Sequence, residues 1–152
     1  MAIVGNGHVG RNMRTIFPDA VVFDPNFTEH ARNQELVNNA DLCFVCVPTA
    51  ALPNGQADLS TIEHVIGWLE CELIVIKSTV PPGTTTRLRE QSGKRIVFSP
   101  EYVGESQYAL PAQLRDPVEW PFVIVGGPRS DTRLVVDLMA SVLGPQKIYR
   151  QV

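Results

Sequence analysis

Three cysteines and three histidines among 152 residues leave this chain short of the groups that build disulfide frameworks and metal centres. A small, odd number of thiols cannot staple a domain. His8, His30 and His64 are scattered without metal-ligand spacing, so no metal is expected. Cys43 and Cys46 do stand as C-x-x-C, but inside Leu42-Cys-Phe-Val-Cys-Val47, which reads as a buried strand. Side chains alternate faces along a strand, so residues three apart point opposite ways, which argues for core residues rather than a redox or metal pair. Net charge is also scarce: 13 basic against 16 acidic residues give −3. That leaves no basic footprint for nucleic acid and no polybasic segment for an anionic membrane. No run approaches the roughly 18 apolar residues needed to cross a bilayer. Met1-Ala-Ile-Val4 runs straight into a glycine motif, so no signal peptide is expected and the cytoplasm is the expected location.

What is present is the length and apolar content of one ordinary globular domain. Short apolar runs at 2–4, 20–23, 42–47, 73–76, 95–98 and 122–125 alternate with longer mixed segments. The runs are continuously apolar, as expected of strands covered on both faces. The segments between them predict helices over 8–16, 28–38, 60–68 and 84–91. Ser60-Thr-Ile-Glu63 fits a capping box at the start of the third. A last helix, capped by Ser130 or Asp131, carries Leu134, Val135, Leu138, Met139 and Val142 on one face and stops at Gly144-Pro145. The tail 146–152 can add a short final strand. Strand and helix in this alternation predict an α/β fold, a doubly wound and mostly parallel sheet of about six strands with helices on both faces. The one long irregular connection spans 100–121, with at most a short helix at 105–110, and such connections are more often functional than idle.

Gly5-Asn-Gly-His-Val-Gly10 fits G-x-G-x-x-G, a weak pattern alone. Here it follows a strand, opens a helix, and is followed at the end of the next strand by Asp24, close to the roughly 20-residue spacing of the dinucleotide fingerprint. Gly5 permits the tight turn, Gly7 lets a pyrophosphate approach the backbone, and Gly10 lets the helix pack close to its strand. The free amides at the helix start favour phosphate. Asp24 can accept hydrogen bonds from the adenosine ribose hydroxyls and would repel a 2′-phosphate. No arginine stands beside it in Asp24-Pro-Asn-Phe27, so NAD is expected rather than NADP.

Ligands of open α/β sheets bind outside the carboxyl ends of the strands. Three further tips lie there: Val47-Pro-Thr49, Lys77-Ser-Thr-Val-Pro-Pro-Gly-Thr84 and Ser99-Pro-Glu-Tyr102. Each sets small hydroxyls or an acid beside a stiffening proline. Thr79 and Glu101 are the candidates for chemistry, since a hydroxyl and a carboxylate in a cleft can hold a water and pass protons.

These tips, in this order, resemble the NAD-binding domain of the UDP-glucose/GDP-mannose dehydrogenase family along nearly the whole chain. The resemblance implies oxidation of a sugar-nucleotide primary alcohol to a carboxylate in two hydride transfers to NAD, through a thiohemiacetal and a thioester on a cysteine. It implies that Gly5, Gly7, His8, Val9, Gly10, Asp24, Val47, Pro48, Thr49, Ser78 and Thr79 line the cofactor, that Thr79 helps order a water, and that Glu101 assists proton transfer or thioester hydrolysis. Two positions depart from the family pattern: His8 replaces an aromatic residue, and Gly104-Glu105-Ser106 lacks the usual arginine. The family's dimerisation helix, catalytic lysine and nucleophilic cysteine have no counterpart in residues 1–152, and loss of the nucleophile should abolish the acid-forming step. The expectation is therefore a natural half-enzyme or an excised domain that works on a UDP-sugar only with a complementary chain, or else a stand-alone module that holds NAD without turnover. The stretch from Ser78 to Pro82 argues against a hydroxyacid-type dehydrogenase that shares only the fold.

Overall fold

A computed structural model describes residues 1–101 and 118–152 of the chain. The expected helix at 105–110, Tyr102 and the Gly104-Glu105-Ser106 departure lie outside the described residues. Five strands form a parallel sheet: β1 Ala2–Val4, β2 Val21–Phe23, β3 Leu42–Val45, β4 Leu73–Ile76 and β5 Ile96–Phe98, in the order β2-β1-β3-β4-β5. They alternate with α1 His8–Ile16, α2 Gln34–Asn38, α3 Ser60–Trp68 and α4 Thr84–Ser92. The remaining strands, β6 Phe122–Val125 and β7 Ile148–Gln151, flank α5 Arg129–Leu143 and pair in parallel with each other. This is the expected Rossmann-type architecture.

The core explains why the strands carry no polar alternation. Ile3, Phe44, Val75 and Val97 pack on one face with Met13 of α1 and Val135 and Met139 of α5. Their neighbours Ala2, Val4, Cys43, Val45, Ile74 and Ile76 pack on the other with Val37 of α2, Ile62 of α3 and Leu88 of α4. Both faces are dry, so both sets of side chains must be apolar. Cys43 and Cys46 fall in opposite layers, as strand alternation requires.

Several local features differ from expectation. The last two strands form a separate pair, and among the described residues an antiparallel bridge between Phe98 and Gly126 links them to the five-stranded sheet. The second helix holds only 34–38, because turns closed at His30, Ala31 and Asn33 occupy the start of the expected segment. The Ser60 capping box does not form: Ser60 is already helical, and its amide donates to Asp58 Oδ1 at 2.9 Å while Glu63 pairs with Arg87 at 2.7 Å. Neither Ser130 nor Asp131 caps α5, whose cap is Pro128. Asp131 instead accepts from Arg95 at 2.8 Å and ties the helix to β5.

The strand order reverses between β1 and β3, which run next to each other although β2 intervenes in sequence. A crevice opens at such a switch point, beyond the carboxyl ends of the strands. The glycine turn occupies that position.

Candidate functional site

The three glycines of the turn between β1 and α1 do three different jobs. Gly5 has φ +96°, and a Cβ there would lie 2.6 Å from the carbonyl oxygen of Cys46 across the switch point. Only glycine accepts both conditions. A Cβ on Gly10 would lie 1.9 Å from the carbonyl oxygen of Gly5, so the helix could not close onto the turn. Gly7 caps the helix at φ −73°, and an added Cβ would meet nothing within 4 Å. The open volume expected for a ligand is therefore at Gly7 alone, while Gly5 and Gly10 are required by the fold. The first-turn amides of α1 have no helical acceptors, and no side chain caps them and no acid neutralises them.

Asp24 sits at the end of β2, 7% exposed. Its Oδ2 accepts the Asn6 amide at 2.7 Å and its Oδ1 the Asn26 amide at 2.9 Å. The carboxylate thus clamps the glycine turn, a role the sequence did not disclose. Each oxygen keeps lone-pair capacity for a further donor. Asn6 is held from the other side by Arg14, which donates to its Oδ1 at 3.3 Å.

Asp24 also borders a cleft of about 580 Å³ between the β1, β2 and β3 tips and α3. Its walls are mostly apolar: Phe23, Val47, Pro48, Val65 and Trp68 line it, with Phe23 and Trp68 edge to face at 5.3 Å. Thr61, His64, Val65 and Trp68 reach it from α3. This wall was not singled out from the sequence, although the spacing i, i+3, i+4, i+7 marks one helical face. Among the described residues no arginine or lysine lines the cleft.

The other tips are cross-linked. Thr49 donates its hydroxyl to Thr79 O at 2.7 Å, and Ser78 donates to Val47 O at 2.7 Å, so β3 and β4 are tied. The Ser78 hydroxyl is buried on this contact, whereas Thr79 is exposed. Val47, Pro48 and Thr49 follow β3 at the rim, and His8 and Val9 open α1. His8 Nε2 and Asn12 Nδ2, one turn apart, are buried without a hydrogen-bond partner. Glu101 lies 3.8 Å from Lys77 Nζ, which also donates to Pro100 O at 3.3 Å. Lys77 was not singled out from the sequence; a lone cation ending an apolar strand was the available signal.

None of the three cysteines is built as a nucleophile. Burial pushes the Cys46 thiol up to about 12, with Lys77 opposing and Glu101 adding to the shift. Burial raises Cys43 well above the ordinary thiol value, and the Cys71 thiol beside it adds to this. A hydrogen bond with Cys43 lowers Cys71, which is itself buried below the sheet. Among the described residues no group of three or more metal-ligating side chains forms, and no helix is long and apolar enough to cross a membrane.

Residues 19–144 match the model of the UDP-glucose/GDP-mannose dehydrogenase family, NAD binding domain. The chain belongs to that family. A curated relative, the UDP-N-acetyl-D-mannosamine dehydrogenase of Methanococcus maripaludis, is 30% identical over 128 residues, covering 76% of this chain and 28% of the relative. The UDP-glucose dehydrogenase structure from Pyrobaculum islandicum matches with TM-score 0.75 at 20% identity, over 99% of this chain and 45% of that one. A ternary complex of a Pseudomonas aeruginosa GDP-mannose dehydrogenase matches with TM-score 0.72 at 20% identity, over 99% of this chain and 46% of that one. The chain therefore spans under a third of the curated relative and just under half of these solved chains. The cofactor of the family domain is NAD. The match begins after the glycine turn, so the case for 5–10 rests on the geometry above.

Proposed function

We propose that this chain supplies the NAD-binding part of a nucleotide-sugar 6-dehydrogenase of the UDP-glucose type, as a single domain that needs residues beyond these for turnover. The carrying observation is the empty space at Gly7, with the buried carboxylate of Asp24 and the apolar cleft beside it. A pyrophosphate fits where a Cβ meets nothing, and the first-turn amides of α1, from His8, Val9 and Gly10, offer it donors. Asp24 accepts the ribose hydroxyls. Val47, Pro48, Val65 and Trp68 take the adenine in the cleft. Thr49, Ser78 and Thr79 shape the side towards the nicotinamide, with Thr79 offering a hydroxyl.

NAD, when bound, supplies the acceptor for the hydride leaving the alcohol carbon of the sugar. Thr79 and Glu101 hold a water and carry the proton released on that oxidation. The thiolate of the acid-forming step belongs outside residues 1–152, since Cys43, Cys46 and Cys71 are buried core residues. A complementary segment or chain would carry it. The three unpaired thiols suit a reducing compartment, and we place the protein in the cytoplasm.

A second reading, an NAD-holding module without turnover, draws on the same inert thiols. Calorimetry with NAD and NADP tests the shared claim, which fails if neither binds or if NADP is preferred. Absorbance at 340 nm with NAD and UDP-glucose separates the readings. NADH formed only when a candidate complementary chain is added supports the dehydrogenase, and NAD binding with no NADH under any pairing supports the module.

A further inference from the structure

We infer that Lys77 is a positioning residue for Glu101, fixing the tip of β5 and its carboxylate against the tip of β4; this rests on the role proposed above for Glu101. Lysine is ordinarily a surface residue, and a buried ammonium is unfavourable unless it is paired. Here the Lys77 side chain is 7% exposed and that of Glu101 13%. The ammonium lies 3.8 Å from Glu101 Oε2 and donates to the Pro100 carbonyl at 3.3 Å, so it grips two successive residues of one loop. A buried pair of this kind is poor evidence of stabilisation, because apolar residues of similar volume usually serve as well. Its place in the fold indicates what it does instead.

Lys77 directly precedes Ser78 and Thr79, and those two residues tie the β4 tip to β3 through Val47 O and Thr49. Lys77 ties the same tip to β5. The three carboxyl-end tips are thereby cross-linked by side chains, in addition to the backbone bonds from Lys77 and Ser78 to Val45 O and from Ser99 to Ile76 O. Lys77, Ser99 and Glu101 also border a cavity of about 30 Å³ with Met13 and Trp120, room for about one water. Cys46, at the end of β3, feels both charges: Lys77 lowers its thiol and Glu101 raises it. The pair thus lies at the carboxyl edge of the sheet, sharing a cavity with Met13 and Ile16 of the helix that the glycine turn opens, and positioning needs rigid support.

The test uses the 152-residue chain labelled with 13C at the glutamate carboxyls, with the Glu101 resonance assigned by its loss in Glu101→Gln. In Lys77→Met the Glu101 resonance is expected to shift, and its response to added NAD to be lost. Lys77→Arg is expected to restore both, since it returns a cation to the site. A Glu101 resonance that stays put and still responds to NAD in folded Lys77→Met would overturn the proposal. Should Lys77→Met not fold, Glu101→Gln carries the test: the 15N signal of the protected Lys77 ammonium is expected to vanish, and its persistence unchanged would overturn the proposal. NAD affinity of the native chain is measured on the same samples. Failure of NAD to bind at all would remove the functional reading while leaving the dependence of Glu101 on Lys77 intact, so the two failures are distinguishable.

Discussion

The carboxylate of Asp24 accepts the backbone amide of Asn6 at 2.7 Å, joining the end of β2 to the middle of the glycine turn. One group therefore shapes the turn proposed to receive the phosphates and borders the cleft proposed for the adenosine. Asp24→Ala is expected to weaken NAD binding by about 1–3 kcal/mol, the usual cost of losing a charged hydrogen-bond partner. It should also lower the melting temperature, because the Asn6 and Asn26 amides lose their acceptor. Titration calorimetry and a thermal melt check the two effects; unchanged affinity removes Asp24 from the ribose role.

Gly7 and Gly10 should respond in opposite ways to a side chain. Gly7→Val is expected to leave the melting temperature near the native value and to reduce NAD affinity at least tenfold, about 1.4 kcal/mol. Its methyl groups would enter space that the protein itself leaves open. Gly10→Ala should destabilise the fold with or without ligand, since its Cβ would stand 1.9 Å from Gly5 O. A stable Gly10→Ala chain, or a Gly7→Val chain that binds NAD normally, contradicts this division.

Lys94 closes the carboxyl end of α3, donating to Ile66 O at 2.6 Å and Leu69 O at 2.8 Å. Cations are favourable at that end of a helix. Lys94→Met is expected to cost about 1–3 kcal/mol of stability in urea unfolding, with the carbonyls left unpaired. An unchanged unfolding midpoint would show that solvent replaces the ammonium without loss.

Alkali should destabilise the protein through Cys46. The folded thiol ionises only at about 12, against an ordinary 9.0. Between those values the unfolded chain releases a proton that the folded chain retains, so stability falls as pH rises, at about 1.4 kcal/mol per pH unit for this group. Urea midpoints at pH 8 and 10 measure the slope, and Cys46→Ala should reduce it. Alkylation of Cys46 should stay slow in the native chain at pH 8 and become rapid in denaturant. Rapid native labelling would place the thiol outside the core.

Much of this molecule is local chemistry written into the chain. Every apolar run became a strand, because residues such as Ile3 and Val4 each meet a dry layer and neither face can tolerate a polar group. The glycine turn was legible because backbone sterics leave few residues for a left-handed φ or a closed helix–strand contact. Helix starts were less legible. Ser60 and Glu63 satisfied a capping pattern, yet Asp58 and Arg87 competed for the same amide and carboxylate, and those partners are fixed by position rather than by spacing.

The sequence by itself determined the alternation of strand and helix, the strands apolar on both faces, and the turn that leaves room at Gly7, since each is written in residue types within a few positions of one another. The tertiary structure decided what the distant partners do: that Asp24 holds Asn6, that Lys77 reaches Pro100 and Glu101, and that α3 walls the cleft. Those contacts join residues on different strand tips, and side-chain hydrogen bonding has no period along the chain from which to read them. Only the order of the strands, with its reversal between β1 and β3, brings the tips to one edge.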